Sequence, residues 1–405
     1  MLKLFNTLGR KLETFQVRPN SDLSVFTCGP SVYQRSHIGN FRTFLFEDIL
    51  VRFLEFQGYS VMRGMNLTDV EDKAIEEARK KQISLRKLTE ENIAQFTQEM
   101  DLLRLKPPTL LHGASEAIDE AVAIIEKLLD KGIAYWHNGN VYFDPLKYPH
   151  FGELYGLDMR RWPSKKKRFH KDTYPGMRWN LGDFILWHGE DKSGEVQWET
   201  SIGKGRPSWN VQDPSLIYKY FEGTLSIYCG GIDNLIRHHD YTRAILESIR
   251  PYPMAKFWLH GHHLYVESQK MSKSKGNIYY TDSLMEEGYS PQEIRFFLIY
   301  GHYRRKLNYS KKGMRRVVNK LNTFKKSVGH MQRRVEDKAG ADGRAAEEVR
   351  KVFSDKMDDD LNVQKAFDAV SGLVSKAFAK GLEPDVARGY IDGLKQIDTV
   401  LGVIF

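Results

Sequence analysis

The chain carries only two cysteines, Cys28 and Cys229, in 405 residues. Two thiols cannot frame a fold of that size. This excludes a disulfide-stapled secreted scaffold and makes a reducing cytoplasm the expected compartment. No run approaches the roughly 18 consecutive apolar residues of a membrane helix. The start, Met1-Leu2-Lys3-Leu4-Phe5-Asn6, lacks the apolar stretch of a signal peptide. There is no internal repeat and no long low-complexity segment. Acidic residues fall short of basic ones, 52 Asp and Glu against 61 Lys and Arg, for a formal charge of +9. That excess favours polyanionic partners such as nucleotides or RNA and establishes neither. What remains is ordinary for a globular chain, 41% apolar and 28% charged. Its length allows about two to four domains.

One stretch stands out against that background. Leu23-Ser24-Val25-Phe26-Thr27 is β-rich, Cys28-Gly29-Pro30 turns the chain, and His37-Ile38-Gly39-Asn40 opens a segment with helical apolar spacing. A strand that turns into a helix N-terminus is where an open α/β sheet binds a nucleotide. Backbone N–H groups and the positive helix end face the phosphates there. His37 and Asn40 are expected to act as donors, and Gly39 to leave room for close approach. More than 200 residues later, Lys270-Met271-Ser272-Lys273-Ser274-Lys275 places three lysines in a polar loop. Lysines beside a phosphate site suit charge stabilisation during displacement at phosphorus. Alone, the first tetrapeptide arises easily by chance, and a Lys/Ser run is usually a solvated loop.

Together and in this order, the two stretches resemble the active-site motifs of class I aminoacyl-tRNA synthetases. Further segments narrow the likeness: Phe26 to Pro30, Asn66-Leu67-Thr68-Asp69-Val70-Glu71-Asp72-Lys73, Gly205-Arg206-Pro207-Ser208-Trp209, Gly230-Gly231-Ile232-Asp233 and His238-His239. They resemble the cysteinyl-tRNA synthetase family over nearly the whole chain. The resemblance implies an α/β fold: a Rossmann-like parallel sheet with a connective insertion, then a C-terminal α-helical bundle. It implies ATP with Mg²⁺ and formation of an aminoacyl-adenylate. His37, Asn40, Lys270 and Lys273 would serve the phosphates, Gly39, Gly230 and Gly231 would admit the nucleotide, and Asp233 would hold the ribose. Cys28, Thr68, Trp209, Asp213, Tyr228 and His238 match amino-acid pocket positions; packing in the core is the plainer role for Trp209.

Departures from the family pattern lie in that pocket. The family holds a Zn²⁺ there with two cysteines, a histidine and a glutamate, and soft sulfur prefers such an ion. Here Cys28 and His238 stand at two of the positions, while Asp213 replaces the second cysteine and Thr242 the glutamate. Tyr228-Cys229 stands where the family has His-Gly. Loss of the metal is the expectation, with no metal ligand assigned; an altered site of Cys28, Asp213 and His238 is the other outcome. A buried Asp213 then needs a partner, either His238 or a donor on the substrate.

The expected organisation is a catalytic domain at 1–95 and 201–255, an insertion at 96–200, a linking segment at 256–310 with the lysine loop, and helices at 311–405. Helices are expected at 72–81, 114–131 and 291–300, a hairpin around Asn138-Gly139-Asn140, and an apolar stripe from Met314 to Met331. The basic run at 160–171 reads either as a solvated loop or as an acceptor contact. The family continues past the bundle into an anticodon-binding module, whereas this sequence ends at Phe405. The expected partners are an amino acid, ATP and either the tRNA acceptor end or a small-molecule or carrier acceptor, with no membrane. Three functions fit: an aminoacyl-tRNA ligase with altered amino-acid specificity, a paralogue acylating another acceptor, or a non-catalytic binding protein on the same scaffold.

Overall fold

A computed structural model describes residues 1–17, 21–157, 183–191, 196–271, 275–335, 340–379, 381 and 383–405. Lys273, the basic run at 160–171 and Trp179-Asn180 lie outside the described residues. Five parallel strands form the central sheet in the order Ala255–Gly261, Leu225–Gly231, Asp22–Thr27, Ser60–Leu67, Leu110–Gly113. The sheet takes in Leu110–Gly113, downstream of residue 95, and runs on to Gly261. From Asp22–Thr27 the chain winds to one side, through Ser60–Leu67 and Leu110–Gly113. Its later strands add on the other side. The order therefore reverses between Asp22–Thr27 and Leu225–Gly231, and ligands bind at such a switch, beyond the carboxyl ends of the strands.

Alternation along these strands divides the apolar residues between two cores. Val25, Ile227 and Leu259 face the core that also holds Phe41, Leu45 and Leu50 of the helix Ile38–Phe56. Their neighbours Phe26, Tyr228 and Trp258 face the core built with Val211, Leu216 and Ala244. Burial on both faces is what a parallel sheet requires.

The expected hairpin forms from Ala134–His137 and Asn140–Phe143. Asn138 and Gly139 take φ of 49° and 78°, the left-handed pair that suits a two-residue turn. It belongs to a four-stranded antiparallel sheet with Phe184–Gly189 and Gly205–Pro207. Helix Asp72–Lys81 has the expected bounds; the segment at 114–131 splits into a 3-10 turn, Ala114–Ala117, and the helix Ile118–Asp130. In the helix Lys311–Gln332 the buried residues are Met314, Val317, Val318, Leu321, Phe324, Val328 and Met331, the apolar stripe read from the sequence. Three more helices, Gly343–Met357, Val363–Ala379 and Pro384–Leu401, complete the bundle. No helix among the described residues is long and apolar enough to cross a membrane.

Arg295 ties the bundle to the sheet. It is fully buried and donates to the Asp48 carboxylate (2.7 Å) and to the carbonyls of Leu401 (2.7 Å), Leu103 (2.9 Å) and Arg104 (3.0 Å). Asp48 lies on the helix Ile38–Phe56, so the helix that opens the nucleotide motif is anchored through one guanidinium to the chain's last helix.

Candidate active site

His37 and Asn40 cap the helix Ile38–Phe56 reciprocally. The Asn40 N–H donates to His37 Nδ1 (3.2 Å), and the His37 N–H donates to Asn40 Oδ1 (3.0 Å). The capping box fixes both side chains at the positive end of the helix. Burial lowers the His37 pKa, against the raising influence of its own backbone and of Asp233. A Cβ on Gly39 would stand 2.4 Å from Met271 Cε and 3.0 Å from the His37 ring, so the bare backbone is what lets the lysine loop approach.

Opposite this cap the strand Leu225–Gly231 ends in Cys229-Gly230-Gly231, and Cys28 N donates to the Cys229 carbonyl (3.0 Å). Asp233 follows in a short 3-10 turn with its carboxylate 56% exposed, 4.0 Å from His263 Nδ1. Lys270 ends an exposed two-residue strand, its carbonyl accepting from Asn277 Nδ2 (3.3 Å). Gly230 sits against the pocket rather than in open space. A Cβ there would lie 2.6 Å from His239 Cε1, 2.9 Å from its Nε2 and 3.2 Å from Cys28 Cβ.

The pocket residues converge. Asp213 is fully buried, and its Oδ2 accepts from the Tyr228 hydroxyl (2.7 Å) and faces His238 Nε2 (2.9 Å). Of the two partners open to Asp213 in the sequence, the protein supplies its own, although Oδ1 stays buried with no partner. Trp209 and Asp213 lie four residues apart on the helix Trp209–Tyr220, hence on one face, and both meet His238. The half-buried Trp209 ring stacks on that imidazole, centroids 4.3 Å apart and planes at 14°. Thr68, also buried, accepts from Asn66 Nδ2 (3.1 Å), and Asn66 in turn accepts from Gly29 N.

Cys28 is buried, and Asn234 Nδ2 lies 3.5 Å from its sulfur. Burial first, then the charges of Asp213, Glu47 and Asp233, push its thiol pKa well up. Tyr228 is raised likewise by burial and then by Asp213. His238 and His239 occupy a π-helical turn, Leu235–His239, at the entry to the helix Asp240–Ile249. Such turns recur at functional sites because the wider ring re-aims consecutive side chains. His239 Nδ1 faces His260 Nε2 (2.8 Å), whose Nδ1 meets Thr7 Oγ1 (2.8 Å). Burial drives His239 well below the ordinary imidazole pKa and His260 to about 3, so both rings are neutral.

Position for position, the zinc ligand set does not fit. Asp213 is committed to Tyr228 and His238, and the Thr242 hydroxyl donates to the His238 carbonyl (2.8 Å). Sequence reasoning did not single out His239, His260 or Asn234 for the pocket. The adjacent His238-His239 pair was a signal for the first; nothing local marks the other two. A separate cavity of about 490 Å³ lies by Asp72, Arg206 and His188, between the helix Asp72–Lys81 and the antiparallel sheet. It holds none of the pocket residues.

Comparison with known proteins agrees with this layout. Residues 14–319 match the family model described as tRNA synthetases class I (C) catalytic domain. The chain is 35% identical over 425 residues to a cysteine–tRNA ligase of Chlamydia muridarum, covering all of this chain and 88% of that protein. It is 34% identical over 418 residues to one from Koribacter versatilis, covering all of this chain and 82% of the relative. Among solved structures, the Mycobacterium tuberculosis methionyl-tRNA synthetase in complex with methionyl-adenylate matches with a TM-score of 0.63 at 15% identity, over 94% of this chain and 89% of that one. The Agrobacterium radiobacter K84 LeuRS-tRNA-LeuAMS ternary complex matches with a TM-score of 0.69 at 12% identity, over 96% and 84%. At such identities the solved structures speak for the fold.

Proposed function

The chain belongs to the cysteine–tRNA ligase family of class I aminoacyl-tRNA synthetases, and from that premise we propose that it activates an amino acid with ATP and transfers it to tRNA. The carboxylate of the amino acid attacks the α-phosphorus of ATP, pyrophosphate leaves, and the acyl group passes from the adenylate to a ribose hydroxyl of the acceptor with release of AMP. Mg²⁺, when bound with ATP, neutralises phosphate charge. The single observation that carries the reading is the reciprocal His37–Asn40 cap at the switch point of the sheet, with the Asp233 carboxylate close enough to act on the His37 ring.

In this reading the helix N-terminus with His37 and Asn40 holds the phosphates, Gly39 admits them, and Asp233 accepts from the ribose hydroxyls. Lys270 and Lys273 meet the leaving pyrophosphate, the largest charge change of the first step. Amino-acid selection falls to Cys28, Thr68, Trp209, Asp213, Tyr228 and His238. This pocket is rebuilt relative to the family pattern, so its specificity is altered rather than inherited. Support comes from the mutual hydrogen bonding of Asp213, Tyr228 and His238, which takes Asp213 out of the ligand role.

The test is amino-acid-dependent ATP–pyrophosphate exchange across all the amino acids. One of them is expected to support exchange, and Lys273→Ala to lower the rate about 100-fold or more, the loss typical of one charge-stabilising donor. ATP binding with no exchange for any amino acid would instead leave a non-catalytic scaffold.

A further inference from the structure

The amino-acid pocket holds polar atoms that the protein itself leaves without partners. Cys28, His238 and His239 are buried, and one atom of each, the sulfur and a nitrogen from either ring, lies within 4.8 Å of the others. Each imidazole has one nitrogen committed to a neighbour, Nε2 of His238 to Asp213 and Nδ1 of His239 to His260. The other nitrogen of each, Nδ1 of His238 and Nε2 of His239, is buried with no hydrogen-bond partner. Buried polar atoms are nearly always partnered, so both nitrogens call for one. Three atoms so spaced share a point about 2.8 Å or less from each, the length of a hydrogen bond to oxygen.

Resting on the amino-acid activation proposed above, we infer that the pocket selects an aliphatic hydroxy amino acid, serine or threonine. Its side-chain oxygen sits among Cys28, His238 and His239, with no metal ion taking part. A hydroxyl gives one proton and accepts two, and the pocket offers the complement. His238 Nε2 donates to Asp213, a carboxylate that also accepts from Tyr228, so Nδ1 is left as an acceptor for the substrate O–H. The His260 ring lies between Thr7 Oγ1 and His239 Nδ1, 2.8 Å from each. With Thr7 donating to His260 and His260 to His239, the His239 proton stands on Nε2, beside Gly230 and Cys28, as the first donor to the substrate oxygen. The Cys28 thiol is the second. Asn234 Nδ2 donates to its sulfur (3.5 Å), and its own S–H has only a long contact, 4.0 Å, to the Gly29 carbonyl. A substrate thiol is a weak donor and a weak acceptor, so it leaves the two buried nitrogens poorly served. The surroundings favour a short side chain over a phenol. Trp209 stacks on His238 with centroids 4.3 Å apart, and a Cβ on Gly230 would already meet His239 at 2.6 Å.

The test compares kcat/KM for ATP–pyrophosphate exchange with serine, threonine and cysteine, in a chelator that takes Zn²⁺ and spares Mg²⁺. Serine or threonine should exceed cysteine at least about 100-fold, since a site built to hydrogen-bond a hydroxyl discriminates steeply against analogues that cannot replace it. A preference for cysteine or any other amino acid, or a serine reaction that needs added Zn²⁺, overturns the inference and leaves amino-acid activation standing. Calorimetric binding of the non-hydrolysable sulfamoyl adenosines of the same three amino acids separates the two readings. Tighter binding of the seryl or threonyl compound, with no exchange for any amino acid, keeps the pocket assignment and removes the activity. Binding no tighter than that of the cysteinyl compound overturns the assignment. His239→Phe should lower serine kcat/KM at least about tenfold through KM, with the KM for ATP unchanged. Cys28→Ala should lower it about tenfold, and Cys28→Ser should recover most of that loss, because a hydroxyl donates where the thiol did. A Cys28→Ser protein no better than Cys28→Ala would overturn the inference. Thermal melts check that each variant is folded; where one is not, the comparison of substrates on the unaltered protein decides.

Discussion

Removing the Asp213 carboxylate tests the pocket network directly. In Asp213→Ala, the Tyr228 hydroxyl and His238 Nε2 lose their shared acceptor, and both residues are fully buried. Each stranded donor costs about 1–3 kcal/mol. Relief from desolvating the carboxylate, and a fallback contact between Tyr228 and Thr242, offset part of this. A net loss of about 3 kcal/mol follows. Unfolding entropy near 2.1 cal/mol/K per residue over 405 residues is about 0.85 kcal/mol/K, so the melting temperature should fall by about 3–4 °C if the chain melts as one unit. Asp213→Asn keeps one acceptor and should lose about half as much. Tyr228→Phe removes one donor and leaves Asp213 with His238, costing about 1 kcal/mol. The double variant Asp213→Ala/Tyr228→Phe should cost no more than Asp213→Ala alone, since no hydroxyl is left to strand. The assay is a thermal melt in chelator, repeated in urea. An Asp213→Ala protein melting within about 1 °C of the parent, or strictly additive losses in the cycle, would refute the network.

Glu71 is buried, accepts from the Ser31 hydroxyl, and has its pKa lifted by burial from the ordinary 4.5 to about 7, with Lys73 pulling the other way. The native state binds this proton more tightly, so its contribution is greatest below 4.5 and is lost as pH rises through 7. Glu71→Gln should therefore gain about 2 kcal/mol relative to the parent between pH 5 and pH 8, and a pH-independent difference in melting would count against the assignment. Arg295→Met leaves Asp48 and three carbonyls without their buried guanidinium and should cost about 3–5 kcal/mol. An unchanged melt would show that the bundle docks by apolar packing alone. Gly230→Ala drives a methyl into His239 and should raise the amino-acid KM in exchange more than tenfold while sparing ATP affinity. Weakened ATP binding would put Gly230 on the nucleotide side.

Local signals carried the fold a long way. The β-run before Cys28, the cap residues His37 and Asn40, the Asn138-Gly139 turn and the stripe from Met314 to Met331 each depend on neighbours in sequence, and each appears in the structure. The amino-terminal hairpin Lys3–Asn6 with Lys11–Thr14 left no comparable trace. It is held from far away: Lys3 N donates to the Asp358 carbonyl, and Asp360 N donates to that of Lys3. Asp360 and Leu361 adopt left-handed φ of 57° and 56° to present that edge, which composition does not announce. Arg295 looks like a surface charge on an amphipathic helix until Asp48 and the carbonyls of Leu103, Arg104 and Leu401 surround it. His239 is marked in the sequence by its neighbour His238, but its place beside Cys28 is not, for a different reason. On an ideal α-helix adjacent residues point about 100° apart, and only the π turn at Leu235–His239 brings both histidines to Cys28.

Asp213, Tyr228 and His238 form one hydrogen-bonded unit in the pocket. Asp213 introduces a carboxylate at a fully buried position, which demands donors. Tyr228 on the neighbouring strand supplies one, and His238 the other. The Thr242 hydroxyl lies in hydrogen-bonding contact with Tyr228 and closes on the His238 carbonyl. A glutamate there would set a second carboxylate beside the first. Asp213 and Tyr228 are complementary, since either one without the other would leave a buried polar group short of this partner. The same network turns His238 so that one nitrogen is spent on Asp213 and the other is not. The orientation of His238 and the hydrogen bond of Tyr228 therefore belong to one network. Its centre is Asp213, on the helix that also carries Trp209.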